Sequence, residues 1–121
     1  MSVKVDIPYG AIRDSVRGID DYVQRIYAGR RYQIAEEFID TVTPFVPIKT
    51  GVLRSSATII DNGYAVEWSA TNPKNGYNYA PKQYEEIGYN HPRGGYAEWD
   101  QVAMAYEGEA FIEKVKDILA K

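Results

Sequence analysis

The chain has one histidine and no cysteine, which closes most nucleophilic and thiolate chemistry to it. His91 stands in the Pro/Gly-rich segment 89–95, with no second imidazole at metal-ligand spacing. A zinc-type site needs several convergent ligands, and a Ser-His-Asp machine would depend wholly on this loop residue. Ser55 and Ser56 lack the glycine-flanked elbow that exposes a nucleophilic hydroxyl. The acidic pairs Glu85 with Glu86, Glu98 with Asp100, and Glu107 with Glu109 are the other candidates. Paired carboxylates work as acid and base only when they converge across a cleft with divergent pKa values. Adjacent residues on a helix point about 100° apart, so Glu85 and Glu86 diverge. Arg93 with Gly94 and Gly95 is too little to cradle a phosphate, and no Gly-x-x-x-x-Gly-Lys-Ser/Thr run occurs. These residues imply no catalytic, cofactor or metal site. A small hydrolase or nuclease using His91 with Glu85, Glu86 or Glu98 is the alternative reading.

Tyrosine is what the composition has in excess, at 11 of 121 residues. Its apolar ring and polar tip suit half-buried positions and interfaces that also meet water. Tyr77, Tyr79, Tyr84, Tyr89, Tyr96 and Trp99 crowd into one segment rich in glycine, proline and asparagine. Some of these rings must cover a sheet. Six aromatics in loop-rich sequence exceed that need, so the tyrosines of this segment are expected to form a protein–protein contact surface. A cellular adaptor that binds one protein partner is a second use of such a surface.

The elements that must position these residues fit in a single domain, residues 1–121. An apolar fraction of 45% and a charged fraction of 26% are ordinary for a globular chain. No apolar run reaches the roughly 20 residues of a membrane helix, and Met1–Asp6 lacks the apolar core of a signal peptide. Without cysteines the chain is expected to fold in a cytosol. Net charge is −3 with no concentrated basic face, which argues against stable direct DNA binding.

Val3, Val5 and Ile7 alternate as a short strand ended by Pro8, and residues 1–18 are expected to form a flexible arm. From Ile19 to Thr43 the apolar period is helical. Arg30 and Arg31 interrupt that stripe, either as a solvated patch or, with Arg25, as cations facing an acidic surface on a partner subunit. Val52–Ile60 and Tyr64–Ala70 read as strands joined by the hairpin turn Asp61-Asn62-Gly63. A short helix opened by Pro81 and closed by Gly88 follows the polar loop 71–76. Tyr96–Trp99 reads as a strand, and Gln101–Leu119 as a helix capped by Asp100. The fold class is α+β: a small, mostly antiparallel sheet with a long N-terminal helix and a C-terminal helix packed on one face.

Between the first helix and the sheet lies the pivot of the chain. Pro44 and Pro47 cannot continue a helix, because each lacks an amide donor and its ring crowds the preceding turn. Thr50-Gly51 then turns the chain, and Val52 and Leu53 reopen the apolar pattern. Pro47, Thr50, Gly51 and Leu53 thus form a rigid elbow.

The elbow Pro47-Ile48-Lys49-Thr50-Gly51-Val52-Leu53-Arg54-Ser55-Ser56, followed by Tyr79-Ala80-Pro81-Lys82-Gln83-Tyr84-Glu85-Glu86-Ile87-Gly88, resembles the small minor capsid proteins of tailed bacteriophages. These are the neck proteins that join head to tail, and the order of elements covers nearly the whole chain. Pro81 directly after Tyr79-Ala80 and the long 89–96 loop depart from the simplest pattern. The resemblance implies a structural virion protein of a phage or prophage that assembles without catalysis. Its partners would be other neck, portal-side and tail proteins. It would form a homo-oligomeric ring in the virion and be a monomer in isolation, residing in the host cytoplasm before assembly.

Overall fold

The computed structural model describes residues 2–15, 29–47, 52–70, 78–85 and 96–120. Three short strands, β1 (Val3–Asp6), β2 (Thr58–Ile60) and β3 (Ala65–Trp68), form an antiparallel sheet in the order β1-β3-β2. Val3 pairs with Trp68 and Asp6 with Ala65 on one side of β3; Thr58 pairs with Glu67 and Ile60 with Ala65 on the other. The helices are α1 (Tyr9–Ser15), α2 (Arg31–Val42), α3 (Ala80–Glu85) and α4 (Trp99–Ala120). The protein is therefore α+β around a small antiparallel sheet, as the patterning predicts.

The central strand has neighbours on both sides, so Ala65, Val66 and Trp68 are fully buried. Residues 2–15, expected as an arm, instead pack on their own chain. Val3, Val5 and Ile7 enter the core, and Ile12 is completely buried. The alternation that marks a strand also supplies an apolar face, and covering β3 with it removes that face from water. Within the span Ile19–Thr43, expected as one long helix, α2 begins only after Arg30, whose φ of −110° and ψ of 9° are not helical, and ends before the 3₁₀ turn that opens at Thr43. Its Ile34, Ala35, Phe38 and Val42 are buried at helical spacing. Residues 16–28, with Arg25, lie outside the described residues. Phe38 meets Phe111 of α4 edge to face, with ring centroids 5.7 Å apart, a geometry favoured by the ring quadrupoles.

Two expected strands are shorter or absent. Val52–Ile60 was the anticipated run, yet residues 54–56 form a 3₁₀ turn and only Thr58–Ile60 joins the sheet. The Ser56 hydroxyl donates to the Leu53 carbonyl at 2.7 Å and accepts from the Ser69 amide at 3.0 Å. Such local bonds offer the backbone an alternative to a ladder. Tyr96–Trp99 is likewise not a strand, because Glu98 adopts positive φ (46°) and turns the chain directly into α4. The final helix thus starts at Trp99, and Asp100 lies inside its first turn instead of preceding it.

The hairpin turn is where sequence and structure agree most closely. Asp61, Asn62 and Gly63 all take positive φ, at 53°, 57° and 90°. Asp and Asn tolerate that region through their short polar side chains, and glycine enters it freely. Side chains from three elements hold the turn. The buried Tyr9 hydroxyl donates to the Gly63 carbonyl at 2.5 Å, with the Arg31 carbonyl as a second acceptor at 3.2 Å. Arg31 Nε donates to the Asn62 carbonyl at 2.9 Å, and Lys4 pairs with Asp61 at 2.6 Å.

Gly63 packs so closely that an added Cβ would lie 3.0 Å from Arg31 Cβ. Gly63→Ala therefore meets both a strained backbone and a contact, and should cost about 1–3 kcal/mol. An unchanged denaturant midpoint would show that the turn does not anchor α2. Burial also pushes the Tyr9 phenol up to about 12. Between pH 10 and 12 the unfolded chain releases this proton while the folded chain keeps it, so stability should fall as pH rises through that window. Tyr9→Phe should flatten the decline in alkaline melts; an identical decline in the variant would refute the assignment.

Candidate functional site

Burial and bonding divide the tyrosines that the sequence grouped together. Tyr79 is half-buried against the core, and its amide donates to the Ala70 carbonyl at 2.8 Å. Tyr84 is also half-buried; its hydroxyl donates to Asp100 Oδ1 at 2.5 Å, and its ring meets Trp99 edge on at 4.8 Å. Burial, and then the Asp100 carboxylate, push the Tyr84 phenol well above its ordinary value. Asp100 is itself pushed up by burial, with the Tyr84 bond pulling against it. Tyr84 thus ties α3 to the start of α4, and Tyr79 packs against the core from the flank of α3. Tyr96 differs: 48% of it is exposed. Tyr77 and Tyr89 lie outside the described residues, as do His91 and Glu86.

The arginines divide in the same way. Arg31 lies over the Tyr64 ring, 4.7 Å from its centroid, in addition to its bond to Asn62. Its charge is used within the chain. Arg30 Nη1 donates to Gln33 Oε1 at 3.3 Å, across one helical turn. At the elbow, Pro47 and Leu53 are buried, whereas Thr50 and Gly51 lie outside the described residues. Arg54 reaches back across the bend: its Nη2 donates to the carbonyls of Val46 at 2.8 Å and Pro44 at 3.1 Å, and its Nε donates again to Val46 at 3.1 Å. This guanidinium clamp fixes the chain on both sides of Phe45.

Phe45 is the centre of a feature that sequence reasoning did not assemble. Its ring stacks on Tyr106 at 6.1 Å with an interplanar angle of 14°, and lies 5.8 Å from Tyr96. Tyr106 is 73% exposed. The Tyr96 amide donates to the Phe45 carbonyl at 2.8 Å, so backbone as well as rings joins the two segments. By helical period Tyr106 falls in line with Val102, Ala110, Phe111, Val115, Ile118 and Leu119, the apolar stripe of the last helix. The buried residues of α4 are Trp99, Ala103, Phe111, Val115 and Leu119, a four-residue repeat that skips exposed Glu107. Val102, Tyr106 and Ala110 form a neighbouring row that turns outward, from half-buried Val102 to exposed Tyr106 and Ala110. An exposed tyrosine in that row was the available signal.

Beside the stack runs a groove of about 280 Å³ between the end of α2 and the middle of α4. Phe111 and Phe45 line it with Asp40, Glu107 and Lys114. Lys114 is drawn to Glu37 at 3.3 Å. Among the described residues no group of three His, Cys, Asp or Glu side chains is placed to hold a metal, and no helix is long and apolar enough to cross a membrane. Glu85 is exposed and Glu98 half-buried at a backbone bend. The arrangement places the exposed ring of Tyr106 and the half-buried ring of Phe45 beside the carboxylates of Asp40 and Glu107.

Tyr84→Phe removes only the hydroxyl bond to Asp100, and should destabilise the fold by about 1–3 kcal/mol, the cost of leaving a partly buried carboxylate short of a donor. If urea unfolding is unmoved, the Tyr84–Asp100 bond is not a stabilising contact. Comparisons with protein-family models, with curated proteins and with solved structures give no match.

Proposed function

We propose that the chain is a structural, non-catalytic assembly protein: a head–tail joining, tail-completion minor capsid protein of a tailed phage or prophage. The observation that carries the assembly part is the exposed stack of Tyr96, Phe45 and Tyr106. Aromatic side chains held rigidly at a surface supply contact area at low entropic cost, which is how interfaces concentrate binding energy. The phage part rests on the resemblance of the Pro47–Ser56 elbow and the Tyr79–Gly88 element to neck proteins.

On this reading subunits form a homo-oligomeric ring at the neck, touching portal-side and tail proteins, and are monomers in the host cytoplasm before assembly. On the same reading α2 and the C-terminal helix α4 pack together on one face of the sheet. Tyr77 and Tyr89 then take part in the same subunit contacts as Tyr96. On this reading Arg30 faces an acidic surface on a partner subunit, and Pro47 and Leu53 belong to the elbow that follows Phe45. His91 takes no part in chemistry.

The test is Tyr96→Ala with Tyr106→Ala. Exposed positions contribute little to an isolated subunit, so unfolding free energy should move by less than about 1 kcal/mol. Assembly should fail, with heads and tails accumulating unjoined in a phage carrying the double change. Normal infectivity from the double variant would overturn the reading.

A further inference from the structure

The turn between β2 and β3 contains a pair of residues with a reaction of its own, Asn62-Gly63. In an Asn-Gly pair the glycine amide nitrogen can attack the asparagine Cγ, because the glycine has no Cβ to shield it. The Gly63 N–Cγ bond forms and the Cγ–Nδ2 bond breaks. The side-chain nitrogen leaves as ammonia and takes up the proton of the glycine amide. Water then opens the five-membered imide at either carbonyl, giving aspartate or isoaspartate at position 62. Asn62 is exposed, so water reaches its side chain.

The backbone of the folded turn opposes the first step. Ring closure needs Gly63 N nearly eclipsed with Asn62 Cβ about the Cα–C bond. In an L-residue Cβ is offset by a third of a turn from N around that bond, so eclipse requires a ψ of about −120°. Asn62 has φ 57° and ψ 32°, which places the Gly63 nitrogen on the far side of the bond from the side chain. The peptide must rotate by roughly 150° before the imide can form. Three hydrogen bonds resist that rotation. Arg31 Nε donates to the Asn62 carbonyl at 2.9 Å, and the Tyr9 hydroxyl donates to the Gly63 carbonyl at 2.5 Å. The Tyr64 amide closes the turn on the Asp61 carbonyl at 3.1 Å. Gly63 is buried against Arg31 besides.

We propose that Asn62 is a deamidation site held shut by this clamp. It reacts only from a locally opened turn, and the reaction is one-way. Isoaspartate adds a methylene to the main chain between β2 and β3, where the length of the turn sets the register of Ile60 against Ala65. The clamped turn cannot re-form around that longer backbone.

Asn75-Gly76, a second pair of the same type, lies outside the described residues and serves as a reference within the molecule. The full chain is incubated in mildly alkaline buffer, and peptide mapping by mass spectrometry reads the mass gain and the isoaspartate content at each pair. Asn62 should react at least about tenfold more slowly in the folded chain than in the same chain unfolded in guanidinium, since only the open fraction reacts. Tyr9→Phe and Arg31→Met each remove one bond of the clamp, and each should speed Asn62 by about fivefold while Asn75 keeps its rate. Aged protein carrying isoaspartate at position 62 should unfold at a lower denaturant midpoint than the Asn62→Asp variant. Equal rates at Asn62 in the folded and unfolded chain would overturn the protection. So would clamp variants that leave Asn62 unchanged, or that speed both pairs alike, which marks global unfolding instead of opening of the turn. A midpoint of the aged protein equal to that of Asn62→Asp would overturn the one-way step.

Discussion

The edge-to-face contact between Trp68 and Trp99, with centroids 5.8 Å apart, fixes the geometry on which the exposed face depends. Trp68 belongs to the central strand and Trp99 opens the last helix, so one buried contact sets where α4 leaves the sheet. Both rings are fully buried, and neither indole N–H has an acceptor among the described residues. Leaving two donors unsatisfied costs stability, which the apolar area of two tryptophans offsets. Tyr84 adds its edge to Trp99 and its hydroxyl to Asp100. The start of α4 is thus held from the sheet and from α3 together. Tyr106 lies two turns further along the same rigid rod, so its position is set by residues that never touch it.

The second support comes from the elbow. A chain that leaves a helix through Pro44 and Pro47 has backbone carbonyls pointing away from any regular ladder. Arg54 satisfies those of Pro44 and Val46 with one planar group. Burial lowers the guanidinium's proton affinity relative to its ordinary value, but an arginine starts so high that it stays charged. Lysine, with a single point of donation, would not span the same carbonyls. Phe45 lies between the two clamped residues, and its own carbonyl accepts from Tyr96. The aromatic stack is therefore preorganised by backbone hydrogen bonds on one side and by a helix on the other. Preorganisation of this kind lowers the entropy lost when a partner binds.

How much of this was legible depends on whether the signal was local. Asp61-Asn62-Gly63 names its own turn, because positive φ is a property of those residue types. The alternation of Val3, Val5 and Ile7 names a strand for the same reason, although it gave no sign that the strand would pack on its own chain. The misread segments are those where a side chain competes with the backbone or one residue reverses it. Ser56 and Arg54 draw the chain out of strand geometry before Thr58. Glu98 at positive φ has no sequence mark, and with it the expected strand at Tyr96–Trp99 becomes a helix start. Tyr84 and Tyr96 were indistinguishable by type and setting. Only the location of Asp100 and Trp99 in space separates a core tyrosine from a surface one.

That separation bears on what an excess of tyrosine achieves in so short a chain. Tyr9 and Tyr84 each bury a ring and donate their hydroxyl to a fixed acceptor, a backbone carbonyl for one and a carboxylate for the other. Phenylalanine would supply the area without the donor, and the carbonyl of Gly63 and the carboxylate of Asp100 would each lose a bond. Tyr64 and Tyr106 use their ring faces instead: one supports Arg31, and the other stacks on Phe45. A phenol exposed to water keeps such a ring soluble where phenylalanine or leucine would create an aggregation patch. The same residue type therefore serves a small core that needs hydrogen-bonded anchors and an exposed aromatic face that stays hydrated. A domain with a three-stranded sheet has little interior to spare. Placing one amphipathic side chain on both sides of that boundary lets its few buried rings fix the positions of its exposed ones.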